Sequence, residues 1–421
     1  MAINKNSPLY QGLRKAYYML WRQNPHVYRF LLPLRLLSAQ TNENKCSRIS
    51  FSPRRIKSIC LAPDSRRNDP DRDSGHIAHV IQSGDWDQRA VPVSETWIYK
   101  YVRRLMREPQ ADPAEPELLR AASRSNAASL DRKLAEESGG SGHLMEMVKA
   151  AVKLHAQGRP PEEIIVCVGR HGEILCAAHA SSAIALSIAT LSDCSELTGI
   201  IAARHKSWQQ IRKKFFVLAN SAFSEGHGSL YQQLWHPDLK DVPHLHKGDN
   251  RSRFIVAAAR EGQAGAALDI GANLGFFCHQ LEDLGFSCRA VEKNAVLVDY
   301  MRLLRDIEGK KFDAVCGDIL GRGLNEICSQ KYDLVLALAI FHHFLKQKRT
   351  YESLKRLLGK LQMERMVLQT HNPEESQMRA AYMNLEPEAF ADHIIEISCL
   401  TRRQLMGKTP EGRHVFLLSK S

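Results

Sequence analysis

The chain has no run of about 20 consecutive apolar residues, the length that a membrane-spanning helix needs. The nearest approach is residues 9–38, rich in leucine and aromatics, which Arg14, Lys15, Arg22, Arg29 and Arg35 interrupt. No small-residue cleavage signal follows a clean apolar core there. The ten cysteines form no C-x-x-C pair and no Cys/His spacing of the ligand type. No structural zinc site is expected, and the cysteines read as small core residues in a reducing compartment. The dinucleotide fingerprint G-x-G-x-x-G is also missing, which weighs against a NAD site.

What is present fits two or three soluble domains in 421 residues. A hydrophobic content of 44% supplies real cores, and 25% charged residues is ordinary for a soluble protein. The net charge of +12 is uneven: Lys+Arg minus Asp+Glu is 19 − 9 = +10 for residues 1–110, 13 − 13 = 0 for 111–230 and 26 − 24 = +2 for 231–421. An excess confined to the front argues for a docking surface more than for an electropositive active site. Residues 1–45 read as a basic amphipathic arm, broken near Pro25 and Pro33, which packs on its own protein or lies on an anionic membrane surface. The expected location is cytoplasmic, with the arm supplying any peripheral membrane contact.

Residues 266–277, AALDIGANLGFF, organise the rest. An apolar run ends in Asp269, a turn spaced by Gly271, Asn273 and Gly275 follows, and Phe276 opens a helix-compatible segment to 284. Strand, glycine turn and helix in that order bring backbone N–H groups close to a nucleotide-like ligand. Twenty-one residues after Gly271, the segment 288–291, apolar but for Arg289, ends in Glu292, an acid suited to a ribose diol. The pattern then repeats. Residues 312–316 lead into Gly317 and Asp318, and 332–339 end at Ile340, Phe341, His342 and His343. Further strands are expected at 365–370, 393–400 and 413–420, with helices at 295–306, 346–361 and 375–390. The alternation predicts an α/β fold with a mostly parallel, seven-stranded sheet covered on both faces.

The order of these pieces resembles the class I S-adenosylmethionine-dependent methyltransferases, whose sheet is Rossmann-like, from about residue 229 onward. The resemblance implies S-adenosyl-L-methionine as cofactor and residues 266–421 as the catalytic domain. It implies that Asp269, Gly271, Asn273, Gly275 and Phe276 surround the amino-acid part of the cofactor, that Glu292 holds the ribose, and that Asp318 caps the adenine amine. Asn273 replaces the usual middle glycine and tolerates left-handed backbone angles better than most residues. This GAN form is similar to the FkbM-type O-methyltransferases. Residues 216–265 read as connector and cap; His236, Asp238, His244 and His246 in it match no standard metal spacing.

Residues 46–215 form a second, α+β region. Strands are expected at 49–61, 76–82, 164–168, 173–176 and 197–203, and helices at 96–107, 143–157 and 181–189, with a basic helix at 208–221 leading out. Residues 109–142 look like solvated helix with a flexible SGGSG link at 138–142. The run IIVCVGRHGEILCAAHASSAIALSIA, with GDWD at 84–87 and RHKSW at 204–208, resembles the ParB-like domain over about 76–212. That family's motif arginine, which holds a phosphate, has no counterpart beside His179; Ala180, Ser181 and Ser182 follow instead. Without the guanidinium a bidentate phosphate grip is lost, so a non-catalytic domain is expected.

Methyl transfer is an in-line displacement that needs positioning and a way to remove a proton. Ligands of open α/β sheets sit beyond the carboxyl ends of the strands. His342 and His343 after the fourth strand and His371 after the fifth are therefore candidate bases, and each also fits a hydrogen-bonded loop histidine. The Asn/Asp-Pro-Pro-Tyr motif of many amino-group methylases is absent, which favours an oxygen acceptor on a small molecule or glycan. Two alternatives stay open: an RNA methyltransferase that docks RNA through its basic front half, and a non-catalytic cofactor-binding scaffold.

Overall fold

A computed structural model describes residues 48–60, 80–108, 127–221, 228–246, 249–321 and 324–420. The basic arm at 1–45, most of the strand expected at 76–82 and the stretch 109–126 lie outside them. The described residues fall into two units, one up to Phe216 and one from Val217 onward.

The first unit runs β1 (Arg48–Phe51), β2 (Ser58–Cys60), β3 (Val80–Gln82), β4 (Val91–Pro92), α1 (Trp97–Arg107), α2 (Ala128–Glu137), α3 (Ser141–Ala156), β5 (Ile164–Val168), β6 (Ile174–Ala177), α4 (Ala180–Leu191), β7 (Leu197–His205) and α5 (Lys206–Ala219). The strand expected at 49–61 is two short ones, because Pro53 starts a 3-10 turn and has no N–H for a ladder. The sheet order is β1-β7-β5-β6-β2-β4, with β3 sharing the β7 edge. Parallel and antiparallel neighbours mix in it. Helix α4, ASSAIALSIATL, carries no charge and is buried along most of its length, so it packs as a central helix against α1 and α3. Within SGGSG, Gly139 and Gly140 adopt φ of +86° and +115° in a turn from which α3 starts at Ser141.

The second unit runs β8 (Leu230–Gln232), β9 (His244–His246), α6 (Asp249–Arg260), β10 (Ala266–Ile270), α7 (Phe276–Asp283), β11 (Ser287–Glu292), α8 (Ala295–Ile307), β12 (Asp313–Cys316), α9 (Leu324–Cys328), β13 (Lys331–Tyr332), β14 (Leu334–Leu338), α10 (Lys348–Lys360), β15 (Gln362–Met363), β16 (Arg365–Gln369), α11 (Pro387–Glu396), β17 (Arg402–Lys408) and β18 (His414–Ser419). Its main sheet has seven strands in the order β12-β11-β10-β14-β16-β18-β17. Only β18 runs against its neighbours. Side chains alternate between two cores, as strand geometry requires. Leu268, Val335, Ala337, Met366 and Leu368 face one core, where α10 adds Leu354 and Leu357 and α11 adds Phe390 and Ile394. Ala267, Leu334, Leu336 and Val367 face the other, covered by Ile255 of α6, Phe277 of α7 and Met301 of α8. Both faces are dry, which is why these strands read as continuous apolar runs.

The sixth strand corrects the sequence expectation. Residues 393–400 belong to the end of α11 and the turn after it, and 375–390 is mostly loop. Pro387 sits in the first helical turn, and Phe390, Ala391 and Ile394 recur at helical spacing on the buried face. The true strand, RRQLMGK, is an edge strand paired only to β18, mostly exposed, and lacks the apolar run that marked the others. No helix among the described residues is long and apolar enough to cross a membrane.

Candidate functional site

The chain leaves β10 toward β11 on one side and later returns to β14 on the other, so β10 and β14 flank the point where strand order reverses. Ligand crevices open there. The turn after β10 is left-handed at three places: Gly271 (φ +75°), Asn273 (+54°) and Gly275 (+76°). A Cβ on Gly271 would meet Ile340 Cδ1 at 3.0 Å, and one on Gly275 would meet Met301 Cγ at 2.9 Å. Glycine is thus required by backbone angle and by space. Phe276 follows as the first residue of α7 and is buried.

Acids close the turn from two sides. Glu292, ending β11, accepts the Asn273 N–H at 3.0 Å and the Asn294 N–H at 2.9 Å. Burial pushes its carboxyl pKa up, against the pull of those backbone donors. Asp269 is 3% exposed and accepts a long 3.6 Å contact from the Cys278 thiol. Burial raises it to about 7, although the Cys278 bond and the nearby Arg251 charge oppose this. Asp318, past β12, is more open; it accepts the Leu320 N–H at 3.0 Å and faces Lys293 Nζ at 3.3 Å.

Beyond β14, Ala339 adopts a left-handed φ of +52°, and a 3-10 turn at Phe341–His343 follows. His342 is buried and His343 exposed, yet their ring centroids lie 4.0 Å apart. His371, past β16, comes within 6.2 Å of His342. The three candidate bases therefore form one cluster. Burial pushes His342 down to about 3, with the His343 and Arg413 charges adding to the effect. His371 is also lowered by burial; its Nε2 donates to Asn384 Oδ1 at 3.0 Å. His342 Nδ1 and His371 Nδ1 have no hydrogen-bond partner among the described residues.

A cavity of about 170 Å³ opens at the carboxyl end of β16 and the start of β18. Gln369, Glu375 and Arg413 line it, together with Tyr231, Asn250 and Arg251 from the connector and α6. Arg413 grips Glu375 with two bonds of 2.8 Å. Burial would raise Glu375, but the Asn372 N–H, Gln377 and Arg413 outweigh it and hold its carboxyl at about 2. None of these residues stood out in the sequence. Glu375 and Arg413 lie in separate segments that only the antiparallel register of β16 on β18, Gln369 opposite Val415, brings together.

The connector residues do not converge. His236 Nδ1 accepts the Asp238 N–H, His244 Nδ1 donates to the Val242 carbonyl, and His246 faces Glu411 at 3.0 Å. Among the described residues, no group of three His, Cys, Asp or Glu is placed to hold a metal. In the first unit, His179 Nδ1 lies 2.9 Å from Ser181 Oγ. GDWD and RHKSW meet there too: Arg170 pairs with Asp85 and Asp87 at 2.9 Å, and His205 Nε2 donates to the Gly84 carbonyl.

Residues 268–360 match the family model described as a methyltransferase domain. That match runs from β10 through α10 of the second unit, so the methyltransferase domain lies there. S-adenosylmethionine is the cofactor of this domain. Similar solved structures include the bifunctional kinase-methyltransferase WbdD, 20% identical over 47% of this chain and 45% of that one, with a TM-score of 0.37. The methyltransferase domain of bacterial CtHen1 is 15% identical over 41% of this chain and 98% of that one, TM-score 0.33. Magnesium protoporphyrin IX methyltransferase from Synechocystis, solved with S-adenosylmethionine bound, is 16% identical over 41% of this chain and 77% of its own, TM-score 0.32. The chain spans less than half the length of the WbdD structures that it matches. No curated protein matches it.

Proposed function

We propose that the methyltransferase domain methylates a hydroxyl oxygen of a small molecule or glycan-type acceptor. The observation that carries this reading is continuity. Ile340 packs over Gly271 in the cofactor turn, and the next residues are the histidine turn that borders His371. The turn suits S-adenosylmethionine: two glycines leave its backbone bare, Asp269 keeps a buried carboxylate with a long thiol contact, and Glu292 spends one lone pair per oxygen. Asp269, Gly271, Asn273, Gly275 and Phe276 would hold the amino-acid end, Glu292 the ribose and Asp318 the adenine edge. The cofactor supplies an electrophilic methyl group on its sulfonium.

The chain's own part is positioning and proton removal. Burial keeps His342 neutral at physiological pH and also makes it a weak base, so it would take the hydroxyl proton late, once the forming C–O bond has made that proton strongly acidic. His343, in ring contact and exposed, gives that proton a way to water. For the first unit, the ParB-like reading as a non-catalytic recognition domain draws support from His179, whose ring pairs with Ser181 and has no arginine next to it in the chain.

The test incubates the full chain with S-adenosylmethionine and a panel of hydroxyl, amine and RNA acceptors and measures S-adenosylhomocysteine. Turnover with hydroxyl compounds is expected. Turnover with RNA or amines alone would refute the acceptor class.

A further inference from the structure

The cavity beside β16 and β18 contains a charge that its own pairs leave unused. Arg413 is committed to Glu375, and His246 faces Glu411. Arg251 differs. It is 6% exposed, lines the cavity, and its Nη2 has no hydrogen-bond partner among the described residues. Its guanidinium lies 5.3 Å from the Phe277 ring centroid and 5.8 Å from that of Tyr231. Ring contacts satisfy the flat face of a guanidinium and leave its N–H groups wanting acceptors. A buried, unpaired N–H of this kind is expensive unless a ligand completes it.

Two further observations agree. Gln369, 5% exposed on the same wall, has an Oε1 without a donor among the described residues. Asn250 and Arg251 belong to the first turn of α6, a 12-residue helix, so the cavity also meets the positive end of a helix dipole. The volume of the cavity is about 170 Å³. It is smaller than the roughly 300 Å³ of a complete ligand pocket. The space takes a head group, not a whole acceptor.

We infer that this cavity binds the anionic head group of the methyl acceptor, a carboxylate or phosphate oxyanion with a neighbouring hydroxyl. Arg251 donates to the oxyanion, and the hydroxyl donates to Gln369 Oε1. Glu375 does not repel it strongly, since its carboxylate already faces the Arg413 guanidinium, whereas Glu411 is offset only when His246 is protonated. The inference rests on the methyltransferase reading and narrows its acceptor class.

Calorimetry on the full chain tests it. The protein is first titrated with S-adenosylhomocysteine, then, loaded with it, with glycolate and with inorganic phosphate. At least one anion should bind the wild type at about 1–10 mM. Arg251→Met should weaken that binding about tenfold or more, and by more than it weakens S-adenosylhomocysteine, which senses Arg251 only through the charge on Asp269. Glycolate alone would assign a carboxylate acceptor, and phosphate alone a phosphorylated one. Gln369→Glu, nearly isosteric, should also weaken the anion by like-charge repulsion, and it carries the test if Arg251→Met does not fold. Cofactor binding without either anion, or anion binding untouched by Gln369→Glu, would overturn the inference and leave the methyltransferase reading intact. So would a folded Arg251→Met protein that loses S-adenosylhomocysteine, because Arg251 would then serve the cofactor. Failure of the wild type to bind S-adenosylhomocysteine would remove the reading beneath it.

Discussion

Glu292 and Asn273 are joined by a 3.0 Å hydrogen bond from the Asn273 N–H to Glu292 Oε2, which ties the tip of β11 to the left-handed corner of the β10 turn. One acid thus braces the turn while keeping lone pairs for a diol. Glu292→Ala should weaken S-adenosylhomocysteine binding by about 1–3 kcal/mol, the loss expected for a charged hydrogen-bonding partner. Glu292→Gln should fall between, since its single amide oxygen cannot serve both the Asn273 and the Asn294 N–H. Calorimetry reads both, and equal binding by all three proteins would remove Glu292 from the site.

Asp269 should imprint on the pH dependence. Its folded pKa of about 7 lies above the ordinary carboxyl value, so between about pH 4 and 7 the folded state holds more protons than the unfolded one. Stability contributed by this group is therefore lost as pH rises through that window. Asp269→Asn should flatten the decline in denaturant-measured stability between pH 4 and 7. A slope identical to wild type would mean that Asp269 is already ionised in the folded protein. An ammonium group beside this carboxyl would favour its charged form, so cofactor binding near pH 6–7 should release protons, visible as heats that depend on the buffer.

The turn residues should respond unequally. Gly275→Ala places a Cβ at a φ of +76° and 2.9 Å from Met301 Cγ, so it should cost about 1–2 kcal/mol or more. Asn273→Gly relieves a left-handed asparagine and should stay within about 1 kcal/mol of wild type. Thermal unfolding compares them; the opposite order would contradict the turn geometry.

For proton removal, His342→Gln should lower turnover by about 10²–10⁴-fold while S-adenosylhomocysteine affinity stays unchanged. With His342 held at about 3, its titration adds no acid limb to the rate between pH 5 and 8. Should His342→Gln, His343→Gln and His371→Gln each keep near-full turnover with an identified acceptor, none of the three is the base.

Much of the sheet was legible because its strands are dry on both faces. Leu268 and Val335 face one core, Ala267 and Leu336 the other, and each strand appears as an unbroken apolar run. Asp269 was readable for the same reason, whereas Glu292 and Asp318 follow strands broken by Arg289 and Asp313 and were marked by their place in the repeated pattern. β17 was not, because an edge strand with exposed Arg402, Arg403 and Gln404 needs no apolar face. The cavity was invisible for a different reason. Arg251, Gln369, Glu375 and Arg413 come from separate segments, and strand register and loop path, not local spacing, bring them together. Arg251 fell within the connector at 216–265, where no spacing marked it; its burial is a tertiary fact.

The most direct test of the central claim is calorimetric titration of S-adenosylhomocysteine into the full chain and into an Asp269→Asn, Glu292→Ala double variant. The wild type should bind one equivalent with Kd below about 1 mM, within the usual range for enzyme ligands. The double variant should stay folded and bind at least tenfold more weakly. A wild type that shows no binding heat at millimolar ligand, or a double variant with undiminished affinity, would contradict a cofactor site at the β10 turn.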